Sequence, residues 1–264
     1  MNNNYNLNNR LALITGGSKG IGLATAIELL SNSAYVVICS RNVANLKIAT
    51  KIINSHFKNP KFLAIRYDLQ NVKKYPQLIS KVEKHFGKSI DILVNNCGGP
   101  PAKDILKTNF NDWQVAINKN LLSAIFLSKI ILKKMKKKKW GRIINLTSTT
   151  AKESASSMCL SNVTRAGVVA FSKTISIEFG KFGITSNSIL TGACETDRFK
   201  RLVNPNNSKN YKNIIKKISK KIPVGYVSKP SEFGKIISFL CSNYSNYING
   251  VAIPIDGGSS KSNF

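Results

Sequence analysis

The chain has 264 residues, 42% of them apolar and 20% charged, with 40 Lys+Arg against 12 Asp+Glu for a formal charge of +28. That length fits one large α/β domain or two small ones, and the apolar content excludes a disordered polycation. No uninterrupted apolar run reaches about 18 residues, so no membrane-spanning helix is expected, and the start MNNNYNLNNR lacks the basic and apolar regions of a secretory signal.

Residues 1–9 read as a flexible tail and residues 10–264 as a single domain. Short β-like runs then alternate with longer helical segments, the pattern of repeated βαβ units. Arg10–Ile14 is an apolar strand ended by Gly16-Gly17, and Lys19–Leu30 has helical spacing. Tyr35–Cys39 is the second strand and Val43–Phe57 the second helix. Strands Phe62–Arg66 and Ile90–Val94 flank a helix over Lys73–Phe86, and Trp113–Lys138 reads as one long helix. Arg142–Thr147 is a strand, and Ser161–Phe179 a helix with Phe171, Ile175 and Phe179 at four-residue spacing. Strands Ile184–Leu190 and Val251–Ile255 enclose helices Tyr211–Ile222 and Glu232–Cys241. Thr191–Asn210 is polar and aperiodic, placed where a lid over a cleft would lie. The expected fold is α/β, one doubly wound parallel sheet of about seven strands flanked by helices.

Five scattered cysteines (Cys39, Cys97, Cys159, Cys194, Cys241) form no C-x-x-C pair, and neither His56 nor His85 has a ligand-like neighbour. Neither a disulfide framework nor a metal site is expected, and a reducing, cytoplasmic compartment is the simplest setting. The run Lys133-Lys134-Met135-Lys136-Lys137-Lys138-Lys139 carries no interleaved aromatic residue or Arg. It therefore reads as the solvated end of a helix, where cations suit the dipole, and not as a specific nucleic-acid site.

Thr15-Gly16-Gly17-Ser18-Lys19-Gly20-Ile21-Gly22 lies between the first strand and first helix. Glycines allow a tight turn and close backbone approach there, while the helix start offers free N–H groups to a diphosphate. The spacing resembles the T-G-x-x-x-G-I-G signature of the short-chain dehydrogenase/reductase family, in particular its 3-oxoacyl-[acyl-carrier-protein] reductase-like members. The likeness continues through Asn95-Asn96-Cys97-Gly98 (for N-N-A-G), Asp68-Leu69 after the third strand, Asn120-Leu121, Gly192 to Thr196 (for P-G-x-x-x-T, with Thr191 in place of Pro) and Ile255-Asp256-Gly257-Gly258 (for V-D-G-G). It implies a Rossmann fold, with cofactor contacts at Gly16, Ser18, Lys19, Gly20, Ile21, Gly22, Asp68, Leu69, Asn95, Gly98, Arg165 and Thr196, and assembly as a dimer or tetramer.

An NAD site requires a carboxylate about 20 residues beyond the glycines. No acidic residue occurs between Glu28 and Asp68, and the second strand ends in Cys39-Ser40-Arg41-Asn42. Arg41 can pair with a 2′-phosphate and Ser40 can donate to it, which favours NADP(H) over NAD(H). Lys19 supplies a second cation.

The resemblance also implies hydride transfer between nicotinamide and a small-molecule carbonyl or alcohol, an acyl thioester among the options. Ser148 matches the family's catalytic Ser and Asn120 its catalytic-site Asn. The family's Y-x-x-x-K is absent: Ser161 occupies the Tyr position and Arg165 the Lys position, in a subgroup-like pattern, and no Tyr lies between Tyr75 and Tyr211. Ser161 and Arg165 share a helix face at i, i+4. Neither surrenders a proton readily, so Glu153, Lys152 or a water held by Ser148 and Ser161 are the candidate donors. A catalytically silent NADP(H)-binding protein, a sensor or partner subunit, is the competing reading.

Overall fold

A computed structural model describes residues 5–204 and 210–262. Seven strands, β1 (Leu11–Thr15), β2 (Tyr35–Ser40), β3 (Phe62–Arg66), β4 (Ile92–Asn95), β5 (Gly141–Leu146), β6 (Ile184–Thr191) and β7 (Ala252–Ile255), form one sheet in the order β3-β2-β1-β4-β5-β6-β7. Every neighbouring pair is parallel.

Parallel strands need crossovers that bury both faces, and the side-chain parity of the strands divides the core accordingly. Ala12, Ile14, Val36, Ile38, Ile92 and Val94 face one layer, made by α1 (Gly20–Ser31), α2 (Val43–His56) and α9 (Pro230–Cys241). Leu11, Leu13, Val37, Cys39, Leu93 and Ile143 face the other, made by α3 (Tyr75–Phe86), α5 (Ser123–Lys138) and α6 (Cys159–Phe179). The strand order reverses between β1 and β4, and at such a point the crevice beyond the carboxyl ends receives ligands.

Two expectations need correction. The helix foreseen over Trp113–Lys138 starts earlier and is interrupted: α4 (Phe110–Ala116) passes through a π-helical segment, Ile117–Leu122, into α5. An Asn109/Asp112 capping box starts α4, which composition alone did not single out. The continuous helical stretch Phe110–Lys138 is long and apolar enough to cross a bilayer by length and composition alone, and its apolar side (Leu127, Ile131, Leu132, Met135) is buried in the sheet's second layer. Finally, the expected tail falls partly outside the described residues, and its described part is docked. Leu7 is buried and its N–H donates to the Asn32 carbonyl, and the Tyr5 ring packs edge-on against Phe239 and Tyr244.

The lysine run is the C-terminal end of α5, as foreseen, with Lys139 in the left-handed conformation as its C-cap. Lys134 pairs with Glu83 and Lys138 with the buried Asp91. Part of the aperiodic stretch Thr191–Asn210 is helical, as α7 (Asp197–Val203); residues 205–209 lie outside the described residues. Helix α8 (Tyr211–Ser219) follows.

Candidate active site

The glycine turn is shaped by the loop after β4. Gly16 has φ +58, and a Cβ on it would lie 2.7 Å from the Asn96 carbonyl oxygen; one on Gly22 would lie 2.6 Å from Asn96 Nδ2. Only glycine permits this approach. Asn96 fastens the two loops: its Nδ2 donates to Gly16 O at 3.0 Å, its N–H donates to Thr15 Oγ1 and Thr15 Oγ1 donates to Asn96 O, both at 2.8 Å. Helix α1 then begins at Lys19 with no side-chain cap and no acid in its first turn. Its first N–H donors and dipole therefore face the crevice, a setting that accepts a diphosphate. These features fit a dinucleotide, and the β2 end fits the extra phosphate of NADP(H): Ser18 Oγ donates to Ser40 Oγ at 3.0 Å, and the exposed Arg41 follows Ser40.

Above the crevice α7 acts as a strap. Thr196 caps it by accepting from Phe199 N–H, and its methyl lies 3.0 Å from where a Cβ on Gly20 would sit. Lys19 Nζ meets Asp197 Oδ2 at 2.8 Å. Arg198 reaches the β4 loop, donating from Nη1 to Gly99 O at 3.0 Å and from Nη2 to Pro100 O at 2.8 Å. Beneath the strap is a cleft of about 360 Å³, into which the glycine turn, Asn96 to Gly98, Leu146 to Ser148, Ser161, Arg165, Thr191 and Gly192 open.

Two hydroxyls, those of Ser148 and Ser161, line the cleft, and Thr150 is hydrogen-bonded to both residues. Ser148 caps a short 3-10 turn (Thr149–Ala151), its Oγ accepting the Thr150 N–H at 3.2 Å. Because that bond fills an acceptor position, the Ser148 proton is directed elsewhere. Thr150 Oγ1 and the buried Ser161 Oγ are 3.2 Å apart. One turn along α6, Arg165 is 8% exposed; its Nη1 donates to Leu146 O, and its Nε, also buried, has no hydrogen-bond partner. Asn120 is buried in the π segment, donating from Nδ2 to Ala116 O at 3.1 Å and accepting the Cys97 thiol on Oδ1 at 2.9 Å. The π segment adds one residue to the turn, which aims Asn120 toward the β4 loop.

The structure thus gathers Ser148, Ser161, Arg165 and Gly98 at one cleft, with Asn120 just behind it. Other expected site residues have partners of their own within the protein. Asn95 turns into the sheet, donating to Asn145 Oδ1 at 2.8 Å, and its neighbour Asn96 is the residue at the glycine turn. Adjacent strand residues face opposite ways, and the doublet Asn95-Asn96 does not say which one faces the ligand. Lys19, expected as a second cation for the cofactor, pairs with Asp197. The Leu69 side chain belongs to the core with Tyr75, whose hydroxyl donates to Leu69 O. Asp68 accepts the Gln70 N–H outside the cleft. Glu153 accepts the Ser262 N–H, and neither it nor Lys152 lines the cleft, so the two proton donors considered from sequence are misplaced for that task.

Three contributors escaped the sequence reading: Thr150, Arg198 and Lys119. Lys119 Nζ lies 3.9 Å from where a Cβ on Gly98 would sit. Burial holds its ammonium below the usual lysine range; Arg41 and Arg198 add to the depression, and Cys97 and Asp68 oppose it. Among the described residues lining the cleft, no Tyr, His or Glu occurs. Burial pushes the Cys194 thiol there up to about 11, so it stays protonated.

A doubly wound sheet with a glycine turn at its switch point and a Ser-bearing cleft beyond β5 defines a nucleotide-dependent oxidoreductase of the short-chain type. Residues 16–260 match the family model described as Enoyl-(Acyl carrier protein) reductase, and the chain belongs to this short-chain dehydrogenase/reductase family. It is 32% identical to the 3-oxoacyl-[acyl-carrier-protein] reductase FabG of Buchnera aphidicola, over 94% of this chain and 96% of that one. It is 29% identical to the NADPH-dependent reductase BacG of Bacillus subtilis, over 97% and 100%. Among solved structures, L-sorbose reductase from Gluconobacter frateurii complexed with NADPH and L-sorbose superposes with a TM-score of 0.90 at 28% identity, covering 97% of this chain and 98% of the other.

Proposed function

We propose that this protein is an NADP(H)-dependent oxidoreductase that reduces the carbonyl of a small molecule or acyl thioester without a tyrosine acid. The cofactor is NADP(H), in keeping with the NADPH named for the relatives BacG and L-sorbose reductase and with the absence of acid between Glu28 and Asp68. The turn Gly16–Gly22 and the start of α1 would hold the diphosphate, Ser40 and Arg41 the 2′-phosphate, Asp68 the adenine side, and Arg165 and Thr196 the nicotinamide side. When bound, the cofactor supplies or accepts a hydride at nicotinamide C4.

The observation that carries this reading is the pair of cleft hydroxyls Ser148 and Ser161, with Thr150 hydrogen-bonded to Ser161 and the buried Arg165 one turn along α6. Ser148 directs its free proton to the substrate oxygen. The Arg165 guanidinium stabilises negative charge that develops there. The proton itself comes from water, passed along Thr150 and Ser161, because neither serine nor arginine is acidic enough to give one up. Loss of a tuned acid costs about 10²- to 10⁴-fold in rate, so a slow enzyme is the expectation. The lack of Tyr, His or Glu among the described cleft residues favours a second reading, a silent NADP(H)-binding sensor or partner subunit.

Single-turnover mixing of the protein with stoichiometric NADPH and a panel of ketones, acyl thioesters and quinones separates them. Loss of NADPH absorbance that Ser148→Ala abolishes supports the first reading; tight binding with no turnover supports the second. Assembly as a dimer or tetramer is part of the proposal, supported by the exposed apolar side chains Phe110, Val163 and Ile177 on α4 and α6. The five free cysteines support a cytoplasmic setting.

A further inference from the structure

The charges that line the cleft are unbalanced in a particular place. Among its described residues the cations are Lys19, Arg165, Arg198 and Arg201, and the one carboxylate, Asp197, is taken by Lys19. Arg165 and Arg198 have no acidic partner among the described residues; their hydrogen bonds run to the neutral carbonyls of Leu146, Gly99 and Pro100. Those bonds use three of the ten N–H donors that two guanidiniums carry, and Arg165 Nε is a buried donor with no partner. Arg198 is itself held below its usual range, first by burial and then by the charges of Arg165 and Arg201, and Arg165 and Arg198 both line the cleft. Placing two like charges out of water without a counter-charge is costly unless a ligand completes the set. The cofactor diphosphate has its own cradle in the backbone N–H groups at the glycine turn, whereas Arg198 is clamped to the carbonyls of Gly99 and Pro100 in the loop after β4.

Resting on the reading of the cleft as an NADP(H)-dependent reductase, we infer that its substrate is a carbonyl compound bearing an oxyanion group, a carboxylate or a phosphate, which Arg198 grips while Arg165 faces the reacting oxygen. Arg198 is a specificity-determining residue and the α7 strap its carrier. A guanidinium whose fork is fixed by two backbone carbonyls is pre-organised to receive such a group. Docking of the anion neutralises the Arg165–Arg198 pair and draws the strap onto the substrate.

The test is calorimetric titration of NADP⁺-saturated protein with matched pairs: a 2-oxo acid against its methyl ester, and dihydroxyacetone phosphate against dihydroxyacetone. The anionic member of at least one pair should bind about ten- to a hundredfold tighter than its neutral partner, the worth of one charge-assisted pair. Which pair discriminates identifies the carboxylate or the phosphate as the natural group. Arg198→Leu should reduce the discrimination to within about threefold, Arg198→Lys should restore part of it, and neither should alter the affinity for NADP⁺. Equal affinity for anionic and neutral members, in protein shown to hold NADP⁺, overturns the inference and leaves the reductase reading intact. Failure to bind NADP⁺ overturns the reductase reading first.

Discussion

Gly16→Ala probes the link between backbone geometry and cofactor binding most cleanly, because a control exists elsewhere in the chain. Gly16 and Gly87 have nearly equal positive φ, +58 and +63. A Cβ at Gly87 meets nothing within 4 Å, whereas at Gly16 it would meet the Asn96 carbonyl oxygen at 2.7 Å, a backbone atom that no rotamer change moves. Alanine at either position incurs the left-handed penalty of about 1–2 kcal/mol. At Gly16 the collision adds a comparable amount, for a total of about 2–4 kcal/mol. At about 2–4 °C per kcal/mol for a chain of this size, melting should fall roughly 2–8 °C for Gly87→Ala and 4–16 °C for Gly16→Ala. Relief of the clash must push the turn away from Asn96, which misdirects the N–H donors at the start of α1. A lost hydrogen bond to a charged group is worth about 1.5–3 kcal/mol, so Gly16→Ala should weaken NADPH at least about tenfold while Gly87→Ala leaves it unchanged. Thermal melts and fluorescence titration read both. If Gly16→Ala bound NADPH within twofold of the parent, the turn would not be the phosphate cradle.

Further expectations follow from the cleft wall and the loop beside it. Ser148→Ala should lower kcat about 10²- to 10³-fold, the usual loss on removing one oxyanion donor, with NADPH affinity retained; steady-state kinetics on any active substrate checks it. Thr150→Val leaves the buried Ser161 hydroxyl without its partner, so it should cost about 1–3 kcal/mol of stability by chemical denaturation and a smaller loss of rate than Ser148→Ala. The double change Ser161→Tyr with Arg165→Lys installs a tunable acid and should raise kcat about 10²- to 10⁴-fold; no gain would mean that proton transfer does not limit turnover. Asp112 is held below its usual 3.8 by Lys103 and the Asn109 N–H, so the stability it contributes is complete above that value and drains away as pH falls through the lower folded value. Asp112→Asn should therefore flatten the acid limb of a pH–melting profile below about pH 4.

The strand–helix alternation was legible because both faces of a parallel sheet are apolar: runs such as Leu11–Ile14 announce themselves without help from partners. The glycine turn was legible for a related reason, since only close approach explains Gly16 and Gly22 at that junction. What escaped depends on where side chains go once the chain is folded. The doublet Asn95-Asn96 offers two identical amides, and the pleat alone decides that the second meets Thr15 and Gly16. The break at Ile117–Leu122 lies inside a sequence with unbroken helical periodicity, so the π segment that aims Asn120 leaves no local trace. Arg198 lay in an aperiodic polar stretch, and its reach to Gly99 and Pro100 spans 99 and 98 residues of sequence. Leu7 and Tyr5 looked like tail because their partners, Asn32, Phe239 and Tyr244, come from distant segments. Glu153 was a reasonable acid by position, and its carboxylate is occupied by the C-terminal segment.

The extra phosphate of NADP(H) distinguishes this cofactor from NAD(H), and Arg41 is the residue placed to read it. Parallel calorimetric titrations with NADPH and NADH, on the parent chain and on Arg41→Ala, address this assignment directly. The parent should prefer NADPH at least about tenfold, the worth of one guanidinium–phosphate contact, and Arg41→Ala should lose that preference with NADH affinity unchanged. Equal affinities in the parent, or no heat with either nucleotide, would contradict the assignment.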